Sequence, residues 1–195
     1  MKSLVSGLLA VSMALWFTGC SQAPAGPVGL SGQEQLPGTA RPEKQELSYE
    51  KNGEAVQTSA ALHKGQGYSV YIMDRWQLEA EFDDRVYTET WEALDREDVE
   101  LEICHLDQRT LEEAREWIIR QETDFLLEED RDGSLRGTDY EQEDAMLVRF
   151  FGGQEGADCY ALVMHYPIHR TDGWDSALLA MADTFQITQG PVSGS

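Results

Sequence analysis

Met146-Leu147-Val148-Arg149-Phe150-Phe151, then Gly152-Gly153-Gln154-Glu155-Gly156, then Asp158-Cys159-Tyr160-Ala161-Leu162-Val163-Met164-His165-Tyr166: the fold turns on this stretch. Two near-continuous apolar runs of strand length flank a glycine-rich loop, and Pro167 ends the second. Strands that are apolar on every residue, not every second one, sit at the centre of a sheet covered on both faces. Working backwards, Tyr68-Ser69-Val70-Tyr71-Ile72 alternates, with Tyr68, Val70 and Ile72 on one face. Val99-Glu100-Leu101-Glu102-Ile103 alternates strictly, so Val99, Leu101 and Ile103 face a core. Glu54 to Leu62, Gln77 to Phe82 and Arg85 to Leu94 read as further strands, with a turn at Met73 to Trp76.

Two segments change period. Thr110-Leu111-Glu112-Glu113 fits a capping box, in which the Thr hydroxyl and the Glu carboxylate satisfy the first free backbone donors of a helix. Leu111, Ala114 and Ile118 then follow helical spacing to about Glu122. Trp174, Ala177, Leu178, Met181 and Ala182 trace a last helix behind a cap at Asp172. Phe125 to Glu128 extends the first helix or begins a strand, Asp132-Gly133 is a hairpin turn, and Phe185 and Ile187 suggest a short closing strand. The order is strands, helix, strands, helix. That predicts an α+β domain, a mainly antiparallel sheet with helices packed on it, over residues 46–188, with a tail at 189–195.

Outside the domain the composition changes. Ser21 to Gln45 mixes Pro, Gly, Ala, Ser and Gln without a period, so residues 20–45 read as a disordered tether. Ahead of it, Lys2 precedes an apolar run from Leu4 to Phe17, about 14 residues, where a membrane span needs about 20. Short length and a small-residue exit mark residues 1–19 as a signal peptide. The chain carries 36 acidic and 15 basic residues, for a net charge of -21. Nucleic acid is excluded as a partner, because phosphate contacts need Lys/Arg clusters. Such a charge suits solubility and basic partners.

The exit sequence Phe17-Thr18-Gly19-Cys20 resembles the lipobox of bacterial lipoproteins, with Phe17 where Leu is usual. The resemblance implies lipid on Cys20, cleavage before it, and a domain held on the extracytoplasmic side of a membrane. Stable anchoring needs more than one acyl chain, which such a cysteine carries. Gly67-Tyr68-Ser69-Val70-Tyr71-Ile72-Met73-Asp74-Arg75-Trp76 is similar to the opening of small extracellular lipoproteins with a Mog1/PsbP-like fold, and Asp183-Thr184-Phe185-Gln186-Ile187 to their closing segment. Met73 stands where proline is common. This second resemblance implies a three-layer α/β/α sandwich and accessory or binding roles, and supplies no catalytic residues.

Several groups carry candidate chemistry. Glu128, Asp130, Asp132 and Asp139 overlay partly on the oxygen ligands of an EF-hand loop, with Gly133 at the sharp turn; Glu128 in the first position and the short Asp139 in the last make it a poor calcium loop. Cys104 and Cys159 sit on predicted strands and would form a disulfide if those strands bring their Cα atoms to about 5.5 Å, and are otherwise two small buried residues. His165 and His169 are four apart, but Pro167 keeps them off a helix. Trp76 and Trp91, near turns or on the acidic sheet face, are candidates for a ligand surface, with core packing the alternative. Carboxylate pairs for glycoside hydrolysis are too abundant in this chain to single one out. These readings point away from an enzyme and toward a membrane-anchored extracytoplasmic accessory or binding module that contacts an envelope protein or wall component. A wall hydrolase using a carboxylate pair and a calcium-responsive module are the alternatives.

Overall fold

The computed structural model describes residues 40–83, 86–153, 158–168 and 173–188. The signal peptide, the lipobox with Cys20, residues 20–39 of the tether, His169, Asp172 and the tail lie outside the described residues. Among the described residues eleven strands and two helices follow in order: β1 (Lys44–Lys51), β2 (Glu54–Lys64), β3 (Tyr68–Met73), β4 (Trp76–Asp83), β5 (Val86–Ala93), β6 (Arg96–Leu106), α1 (Leu111–Gln121), β7 (Phe125–Glu129), β8 (Leu135–Asp139), β9 (Asp144–Gly152), β10 (Cys159–Pro167), α2 (Trp174–Ala182) and β11 (Gln186–Ile187). They form two antiparallel sheets, a small one ordered β1-β2-β3-β11 and a large one ordered β4-β5-β6-β10-β9-β8-β7.

The expected α+β arrangement, helices packed on one sheet, is therefore corrected to a β-rich fold of two sheets with two short helices. So is the α/β/α sandwich implied by the Mog1/PsbP-like resemblance. The physical reason lies in β10, which is buried on both faces and needs two covers. Cys159, Ala161 and Val163 face α1, packing with its Ala114 and Ile118. Tyr160, Leu162 and Met164 face the other way, onto Val70 of β3 and Leu178 of α2. The second cover is thus the small sheet together with α2.

Two strands escaped the sequence pattern. In β1 only Leu47 is buried, so this edge strand reads as polar chain. In β8 the centre is Gly137, and polar residues surround it. The turn Asp74–Arg75 passes the chain from one sheet to the other, with Arg75 at a positive φ. The expected capping box is present: the backbone N–H of Thr110 donates to Glu113 at 2.9 Å, and that of Glu113 to the Thr110 hydroxyl at 3.3 Å. β11 pairs with only two residues of β3. Beyond them α2 covers the edge, where the N–H of Tyr71 donates to the Thr184 hydroxyl at 2.8 Å and that of Met73 to the Met181 sulfur at 3.5 Å. Side-chain acceptors here replace a neighbouring strand, which leaves no sticky edge.

Candidate binding groove

The large sheet has seven strands and the small one four. Leu126 of β7, Thr138 of β8, Ala145 of β9 and Tyr166 of β10 lie side by side in register. Directly opposed residues share a face, and Tyr166 places that face on the side of the small sheet, where it packs against the shared core. At the β7 end of the row Leu126 is 56% exposed. The start of α2 and the β1–β2 turn rise beside the row and enclose a groove of about 810 Å³. Its apolar wall is Tyr166, Pro167, Ile168 and Trp174; Glu50, Asn52, Arg136, Asp175 and Ser176 supply polar groups.

Close packing of two backbones makes the wall continuous. Gly173, the N-cap of α2, has a φ of 74° and no side-chain cap. A Cβ there would run into the Glu50 carbonyl and the Lys51 Cα, so only glycine suits both the conformation and the contact. Trp174 meets Trp76 edge to face, with ring centroids 6.4 Å apart. The groove wall thus takes Trp174, the first residue of the last helix, while Trp76 backs it and is not among the lining residues. Trp91 lies elsewhere, with its ring edge-on to His63 at 5.0 Å. Burial, and after it the neighbouring Asp175 charge, pushes the Tyr166 hydroxyl above its ordinary value. Arg136 already pairs with Asp130 at 3.2 Å.

A second polar cluster joins the two sheets. Glu89 of β5 is 3% exposed. It takes the Nε2 proton of His63 on β2 at 2.5 Å and the hydroxyl proton of Tyr68 on β3 at 2.7 Å. Tyr87 donates a third hydrogen bond. Burial pushes the Glu89 carboxyl up, but the hydrogen bonds from His63 and Tyr68 and the His63 charge outweigh it and hold the group below its ordinary 4.5. A carboxylate so satisfied between two sheets fastens them. Sequence reasoning passed over it, although Tyr87-x-Glu89-x-Trp91 sets one acid in an aromatic face, and that alternation was readable.

The other predicted residues are dispersed. Glu128 pairs with Arg136 in the β7–β8 ladder and Asp139 with Phe125, three residue pairs further on and so about 10 Å away. Asp132 accepts from the backbone and hydroxyl of Ser134, and Asp139 from the N–H groups of Glu143 and Asp144. Among the described residues no three His, Cys, Asp or Glu groups are placed to hold a metal ion. Cys104 and Cys159 are free and buried. Cys104 stands opposite Ala161, so Cys159 is its diagonal neighbour. Diagonal pairs lie about 7–8 Å apart, longer than the usual disulfide span. Burial pushes the two thiols up to about 12 and about 11, so neither is a nucleophile at neutral pH. Carboxyl groups pushed upward are found at Glu100, Glu122 and Asp144, none of which lines the groove. Glu100 is raised by burial and then by Glu92 and Glu79, an acidic patch on the α1 face of the large sheet.

A family described as a domain of unknown function (DUF8580) matches residues 41–118. The match spans β1 to β6 and most of α1; it holds the Glu89 cluster and the β1–β2 wall of the groove, but not Tyr166 or Trp174. No curated protein matches. Among solved structures, a protein of Bacteroides thetaiotaomicron VPI-5482, with a crystal structure at 1.50 Å resolution, is similar at 9% identity and a TM-score of 0.36. That likeness covers 63% of this chain and 46% of the other.

Proposed function

We propose that the chain is a lipid-anchored, extracytoplasmic binding module without catalytic activity of its own, and that it takes up its ligand in the groove beside α2. The observation that carries this reading is the groove itself: about 810 Å³, with an aromatic and aliphatic wall and a few converging polar groups. Binding sites for small molecules and short chain segments have this size and composition. The anchor rests on Cys20 behind a short apolar signal.

Two measurements test the two halves. In cells, Cys20→Ser is expected to move the protein from the membrane fraction to the soluble extracytoplasmic fraction; unchanged membrane retention overturns the anchor. In vitro, a thermal-shift screen with wall fragments, sugars, short peptides and amphiphiles is expected to give at least one clear stabilisation. A ligand at about 100 times its Kd adds roughly 2.7 kcal/mol. Trp174→Ala should remove that shift, because it deletes the largest ring of the wall. A shift that survives Trp174→Ala places the ligand elsewhere, and a flat screen removes the reading.

A further inference from the structure

We infer that the groove's ligand is a basic, partly apolar polypeptide segment of a partner protein, held by the Trp174 wall and by the acidic residues at the groove, Asp175 and Glu50. The inference rests on the groove being the binding site and names the class of ligand. Two features converge on it. First, exposed apolar side chains stand at the groove and further along the sheet row: Ile168 of the wall is 38% exposed, and Leu126, beyond Thr138, is 56% exposed. Apolar side chains spaced along a sheet row match the side chains of an extended segment better than one compact molecule. Second, the charge that accompanies them is negative. Glu50 and Asp175 line the groove, and among the described lining residues the one cation, Arg136, is already paired with Asp130. The chain as a whole carries a net charge of -21. Like charge at a docking surface repels acidic partners, and opposite charge raises both association rate and selectivity. Lysine or arginine side chains next to apolar ones satisfy both features, since their long stems cover apolar surface while the charged head reaches a carboxylate.

An acidic protein attracts basic peptides everywhere, so the test separates the groove from general charge. The full chain carrying Cys20→Ser is titrated by fluorescence polarisation with three labelled probes. These are an octapeptide of alternating Lys and Leu with blocked ends, its Glu/Leu counterpart, and a neutral chitotetraose. The Lys/Leu peptide is expected to bind at least tenfold more tightly than the others. Trp174→Ala is expected to weaken it at least tenfold, and Glu50→Gln with Asp175→Asn about three- to tenfold. Glu92→Gln with Glu100→Gln, on the α1 face, should leave it unchanged within twofold. Equal binding of the Glu/Leu peptide, tighter binding of the glycan, or an effect from the α1-face pair as large as that from the groove pair overturns the inference. Where the glycan binds and Trp174→Ala abolishes it, the groove stands and the basic class falls. Where no probe binds and no compound of the screen shifts the wild type, both fall together.

Discussion

Glu89→Ala is expected to lower the unfolding free energy by about 3–5 kcal/mol, the cost of leaving the buried donors of this carboxylate without their acceptor. The side chain is 3% exposed, and its loss strands the buried Tyr68 hydroxyl and the mostly buried His63 ring at the junction of the two sheets. An unpaired buried donor alone costs about 1–3 kcal/mol. In urea the midpoint should fall by about 1–2 M with an unchanged slope. Glu89→Gln keeps an acceptor for Tyr68 and should cost less. The pH profile carries the sign. The folded carboxyl is held below its ordinary 4.5, so its contribution is complete above that value and is lost as pH falls through the lower folded value. Glu89→Gln should therefore flatten the loss of stability below about pH 4.5. His63→Ala should cost much less in the Glu89→Ala background than alone, because the two share one interaction. A Glu89→Ala change below 1 kcal/mol, or additive costs, would show that the cluster does not fasten the sheets.

Local period carried most of what the sequence disclosed. The two apolar runs of β9 and β10, the alternation of Val99, Leu101 and Ile103, and the Thr110–Glu113 box are all signals within a few residues, and the structure has each of them. Sheet membership is different, because it depends on contacts far apart in sequence. Asp74–Arg75 looks like any tight turn, yet β3 and β4 on either side of it enter different sheets. With β1 hidden behind a single buried leucine, the strands before α1 read as one sheet, and helices were left as its only cover. The groove was equally hidden. Its walls come from residues 50, 52–53, 136–138, 145, 166–168 and 173–176, short segments with no shared pattern. Trp174 keeps helical spacing with Ala177 and Leu178 and so read as core, but it sits at the first turn of α2, where the helix leaves the core for the groove.

The two-cover architecture makes the strongest demand on β10. Leu162 and Val163 are neighbours with no exposed surface, and they point into opposite layers. In a sheet with one solvated face, one of them would accept a charge. Here Leu162→Asp and Val163→Asp should each leave no folded protein at 25 °C, since an unpaired buried carboxylate costs more than a domain's usual 5–15 kcal/mol margin readily absorbs. The milder pair gives numbers. Leu162→Ala opens a cavity between the sheets and should cost about 2–5 kcal/mol. Val163→Ala removes two carbons beneath α1 and should cost about 2 kcal/mol from transfer plus cavity. The costs should add to within about 0.5 kcal/mol if the layers on either side of β10 are independent cores, and fall short of additivity if they relax as one. Circular dichroism of the aspartate variants and urea unfolding of the alanine variants read these outcomes. A folded Val163→Asp protein would mean that α1 does not close that face, and a folded Leu162→Asp protein would remove the small sheet as the opposite cover.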